Sequence, residues 1–123
     1  MKILPSVYNA LNALRDHVWI VSSSKGFKDE PVPVGDSCAN LHGEVSELWE
    51  AYRTRKLDQP CDKAAGMEKL GETPLTCAEE ELADVVIRAL DTAADLKIDI
   101  GRAIMVKDWY NQHRAHRNGG KIA

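Results

Sequence analysis

Residues 78–96 read AEEELADVVIRALDTAADL. On a helix turning ~100° per residue, Leu82, Val85, Val86, Ala89, Leu90, Ala93 and Leu96 fall on one broad side. Ala83, Ile87 and Ala94 widen that side until little of the circumference is left for water. A helix this apolar belongs in the middle of a bundle or in a subunit interface. Thr76 with Glu79 has the form of a capping box, so the helix is expected over about 76–96.

The sequence on either side is also helical in pattern. A first helix is expected from about Ser6, a candidate N-cap after Pro5, to about Ser23, with Val7, Leu11, Leu14, Val18 and Val21 as its apolar line. The breakers in SSSKGFKDEPVPVGD (22–36) end it. A second helix, about 35–56, carries Leu41, Val45, Leu48 and Tyr52 on one stripe. The connection 57–76, with Pro60, Gly66, Gly71 and Pro74, is long for a compact domain unless it holds a short helix. Asp99 is placed to cap a last helix over about 100–115. With no strand pattern and no repeat, the chain reads as one all-α domain over 1–123, a four-helix bundle.

A net charge of -3 gives no general reason to expect nucleic-acid or membrane-surface binding. No apolar run approaches the ~20 residues that span a bilayer, and MKILPSVYNA has no signal-peptide form, so a cytoplasmic protein is expected. Cys38, Cys61 and Cys77 include no CxxC pair and fit reduced thiols. His42-Gly43-Glu44 followed by Pro60-Cys61 imitates half of a zinc deaminase signature, but Ala64 stands where the last cysteine ligand is required.

Chemistry enters through carboxylates. Glu44 and Glu47 on the second helix, and Glu81 and Asp84 on the third, repeat one spacing of three residues, so each helix offers two acids to one point in space. Such oxygens suit a hard divalent cation, Mg²⁺ with Mn²⁺ as a substitute. The alternative is a solvated face, because Asp84 shares a stripe with Arg88, Asp91 and Asp95, and Glu79 to Glu81 sit where the helix dipole favours acids. On the last helix, Ile100, Ala103 and Ile104 begin a stripe that continues through Lys107, Asn111 and Arg114. If that stripe faces inward, its donors meet either a metal-bound polyphosphate or the carboxylates themselves.

KGFKDE (25–30), LHGEVSELWEAYR (41–53), EEELADVVIRALD (79–91) and KDWYNQHRAHRNGGK (107–121), in that order, resemble the MazG-like all-α nucleoside triphosphate pyrophosphohydrolases. The resemblance implies a MazG-like bundle completed by oligomerisation, and Mg²⁺-dependent cleavage of nucleoside triphosphates, dNTPs by analogy, to monophosphate and pyrophosphate, as in nucleotide-pool house-cleaning. Glu44, Glu47, Glu81 and Asp84 would hold the metal, Glu47 would also take the proton from water, and Lys107, Asn111 and Arg114 would contact phosphates. Lys25 and Phe27 fall where the resemblance places part of the nucleotide pocket, with Phe27 or Trp19 against the base and Arg117 and Lys121 in a basic tail. DQPCDKAAGMEKLGETPLT (58–76) is longer than the corresponding link in compact members, which bears on the lid and substrate preference. The apolar third helix leads us to expect a homodimer or a dimer of dimers. The competing class is a non-enzymatic helical module that binds a partner through that helix. A di-iron bundle is disfavoured because its Glu-x-x-His pairs are absent.

Overall fold

The computed structural model describes residues 4–120, so Lys121 lies outside the described residues. Five helices and one terminal turn make up the fold: α1 (Pro5–Ser24), α2 (Val34–Arg53), α3 (Ala64–Lys69), α4 (Cys77–Asp95), α5 (Ile100–Gln112) and the turn α6 (Arg117–Gly120). Among the described residues there is no strand, and the one β-type pairing is an isolated bridge between Pro60 and Thr76. The fold class is all-α.

Local chemistry sets most of the boundaries. Thr76 and Glu79 close the expected capping box on α4, and Asp99 caps α5 by accepting the Arg102 N–H at 3.0 Å. At the other end of α4, Lys97 takes a left-handed φ of 57° while Ile98 N–H reaches Ala93 O at 2.9 Å. Arg55, at φ 58°, ends α2 in the same way, with Lys56 N–H on Ala51 O at 2.8 Å, earlier than the expected residue 56. Ser6 is not the cap of α1. Pro5 opens that helix directly, its missing N–H costing nothing at the first position.

Helix α4 is the centre of the packing, with α2 along one flank and α1 along the other, while α5 packs chiefly on α1. Both flanking helices run antiparallel to α4: along α1, Arg15 meets Ile98 and Trp19 meets Asp95, and along α2, Glu44 meets Arg88 and Glu47 meets Glu81. The resulting order across the layer is α2, α4, α1, α5, and the four long helices do not close a bundle inside one chain.

Buried apolar residues are accordingly few: Val18, Cys61, Leu90 and Ala93. Leu82, Val86 and Ile87 on α4, and Val45, Trp49 and Tyr52 on α2, remain exposed although periodicity places most of them on apolar stripes. The chain presents 9238 Å² of surface, against roughly 6,600 Å² for a compact monomer of 13.6 kDa. Among the described residues no helix is long and apolar enough to cross a membrane.

The α1–α5 contact is a close crossing at Gly101. A Cβ at Gly101 would collide with the Tyr8 carbonyl oxygen and press on the Asn12 side chain. Around this point Asn12 Nδ2 donates to Asp99 at 2.9 Å, Gly101 N–H donates to Asn12 Oδ1 at 3.0 Å, and Arg15 donates to Ile98 O at 2.7 Å. Tyr8 also donates to Asp99, and this bond, with those from Arg102 N–H and Asn12, holds the Asp99 carboxyl low, at about 2. Gly101→Ala must push a backbone apart, so we predict a loss of about 1–3 kcal/mol in urea unfolding, whereas Gly35→Ala, with open space around its Cβ position, leaves the midpoint unchanged or raised.

Candidate functional site

The antiparallel packing of α2 on α4 lays the ExxE pair against the ExxD pair. Glu44, Glu81 and Asp84 each offer one carboxylate oxygen, all within 4.8 Å of one another, and all are half-buried. Glu47 is exposed but shares a hydrogen bond with Glu81. Glu44 accepts from Arg88 Nε at 3.1 Å, so its counter-ion comes from α4 and not from α5. Among the described residues this is the one group with ligand spacing, and it contains neither His nor Cys; the zinc deaminase imitation has no counterpart in space.

Burial, reinforced by neighbouring like charges, raises the carboxyls of the centre. Burial, the hydrogen bond to Glu47 and the neighbouring acids Glu47, Glu80 and Asp84 push the Glu81 carboxyl from 4.5 up to about 7. Burial and Glu80 also raise Asp84, against the opposing charges of Lys63 and Arg88. Glu81 Oε2 is buried and has no hydrogen-bond partner. An orphaned carboxylate oxygen beside two further acids fits a hard cation, which would take the place of the shared proton.

Beside the acids lies an open cavity of about 670 Å³. The end of α1 supplies Val18 and Val21, and the following loop supplies Lys25 and Phe27. That loop is fastened by Lys28, whose ammonium bonds Asp91 at 3.0 Å and Asp95 at 2.7 Å with only 8% of its side chain exposed. Burial pulls the Lys28 pKa down, but the bonds to Asp95 and Asp91 outweigh it and the group stays firmly charged. Gly26, at φ +86°, gives the turn that presents Phe27 outward, 70% exposed and therefore no plug of the core.

Several lining residues went unread in the sequence. Glu80, 6% exposed, faces the cavity and pairs with Lys63, and Met67 and Leu75 join them from the connection 57–76. The run of three consecutive acids at 79–81 held the signal, because a helix cannot turn all of them to water once one flank is covered.

The last helix does not do what its stripe suggests. Lys107, Asn111 and Arg114 are exposed within one chain, and the inward orientation expected for them is corrected: α5 meets α1 around Gly101, and its half-buried later residues are Met105, Asp108 and Trp109. Lys107 and Arg114 gather instead over the Tyr110 ring, at 5.0 Å and 5.9 Å from its centroid. Within one chain these donors lie outside the carboxylate cavity. Trp19 is also placed elsewhere, donating to Asp95 at 3.0 Å and lining a separate groove with Arg15 and Lys97. No family model, curated protein or solved structure matches the chain.

The raised carboxyls fix the sign of the pH response. Glu81 binds a proton more tightly when folded than when unfolded, so its contribution to stability is present at low pH and is lost as pH rises from 4.5 through about 7. We predict that the metal-free protein melts at a lower temperature at pH 8 than at pH 5, and that Glu81→Gln flattens this slope. Calorimetric Mn²⁺ titration near pH 6.5 should release protons, with tighter binding at higher pH. A pH-independent affinity without proton release contradicts the assignment.

Proposed function

We propose that the chain is a metal-dependent nucleoside triphosphate pyrophosphohydrolase that converts dNTPs to monophosphate and pyrophosphate. The observation that carries the reading is the meeting of the ExxE and ExxD pairs across α2 and α4, with a buried, unpartnered Glu81 oxygen beside Glu44 and Asp84, which themselves line a cavity. The order of these motifs and their resemblance to the MazG-like enzymes supply the reaction.

Glu44, Glu81 and Asp84, joined by Glu47, would hold Mg²⁺ or Mn²⁺. The bound metal supplies charge neutralisation on the phosphate oxygens. Glu47, the most exposed of the four, reaches water and takes its proton, while its bond to Glu81 orients the carboxylate. Lys25 stands on the cavity rim for phosphate, and Phe27 offers its open ring face to the base.

The exposed apolar side chains of α2 and α4, with roughly 2,600 Å² of surface above the compact-monomer value, support assembly into a homodimer or a dimer of dimers. The same apolar faces favour the second reading, a non-enzymatic oligomerisation module in which the acids only keep the protein in solution.

Two measurements separate these readings. A screen of canonical NTPs and dNTPs with Mg²⁺, following pyrophosphate, is expected to give turnover that Glu44→Gln and Glu81→Gln each lower by at least about 100-fold, since even residues that only hydrogen-bond to metal ligands cost about 10- to 100-fold when changed. No pyrophosphate from any nucleotide favours the module. Light scattering at micromolar concentration is expected to report at least twice 13.6 kDa, and a stable monomer would contradict the assembly.

A further inference from the structure

The connection between α2 and α4 is built as part of the cavity. Its ends are clipped together by Ala78 N–H on Leu57 O at 2.9 Å, Cys77 N–H on Gln59 O at 2.8 Å and Cys61 N–H on Leu75 O at 3.0 Å. Cys61 is 4% exposed beneath this clip, and Met67 Sδ accepts from Leu75 N–H at 3.5 Å. A segment so fastened holds its inward side chains in place before any ligand arrives, so little entropy is lost on binding.

Lys63 is the cation of that segment. Its ammonium pairs with the buried Glu80, stands 3.6 Å from Asp62, and keeps 64% of its side chain exposed. An ammonium carries three donors, and the pair with Glu80 leaves donors for a further acceptor. Of the other cations lining the cavity, Arg88 is bonded to Glu44 and Lys25 sits on the loop after α1. Lys63 alone is anchored by a buried carboxylate adjacent in sequence to Glu81.

We infer that Lys63 is a phosphate-binding residue: its ammonium, held in place by Glu80, donates to non-bridging oxygens of a polyphosphate whose metal-bound portion lies on Glu44, Glu81 and Asp84. The inference rests on the metal-dependent triphosphate reading above. It gives the connection 57–76 a task in ligand recognition, and it moves to this segment the phosphate donor expected from Lys107 and Arg114.

Lys63→Met alone orphans Glu80, so the informative comparison is Lys63→Met/Glu80→Gln against Glu80→Gln, with Lys63→Arg as the conservative variant. Three quantities are read: Mn²⁺ affinity without nucleotide by electron paramagnetic resonance, KM for the best dNTP, and inhibition by inorganic pyrophosphate. Loss of Lys63 is expected to raise KM and the pyrophosphate inhibition constant at least about tenfold, while Mn²⁺ affinity stays level or tightens because a cation has left the acids. Lys63→Arg is expected to retain most of the affinity for pyrophosphate. Turnover with unchanged KM and unchanged pyrophosphate inhibition overturns the role of Lys63 and leaves the enzymatic reading standing. Absence of both Mn²⁺ binding and turnover in the unaltered protein overturns both.

Discussion

The contact between α2 and α4 is the constraint on which the rest depends. It aligns Glu44 with Arg88 and Glu47 with Glu81, and so collects acids that repel one another on a half-buried surface. Such an arrangement lowers the stability of the metal-free chain, because each carboxylate loses hydration and gains a like-charged neighbour. Glu81 responds by keeping its proton to about pH 7, and its Oε2 is left without a partner. Strain of this electrostatic kind would be relieved by a cation, which is the physical ground of the metal site proposed above.

Around that centre the opposite charges are fixed with care. Arg88 offsets Glu44, Lys63 offsets Glu80, and Lys28 binds Asp91 and Asp95 along the same helix. Each cation comes from a different part of the chain: α4 itself, the connection before it and the loop after α1. Of the three acids that share ligand spacing, Glu44 is thereby paired with Arg88, while Glu81 and Asp84 have no cation within salt-bridge distance among the described residues.

Much of this was legible in the sequence. The helices over 5–24, 34–53, 77–95 and 100–112 follow apolar periodicity and capping chemistry at Thr76 and Asp99, and the convergence of Glu44 with Glu81 and Asp84 follows from equal spacing on two packed helices. The path of α5 was not legible, because a stripe says which residues share a face and not which neighbour covers it; Gly101, read only in space, sends the helix onto α1. Lys63 was hidden for a related reason. Its importance depends on the clip at Pro60 and Thr76, which returns a polar loop to the start of α4, and no periodicity encodes that return. The exposed Leu82 and Val86 show the same gap from the other side: their apolar character is plain in the sequence, yet nothing within one chain covers them.

The central claim is that these carboxylates form a divalent-cation site, and anomalous diffraction from crystals grown with Mn²⁺ tests it most directly. The account predicts one strong peak at about 2 Å from oxygens of Glu44, Glu81 and Asp84, absent in crystals of Glu81→Gln. A Mn²⁺-saturated crystal with no peak at this cluster, or with its peak on other residues, would contradict it.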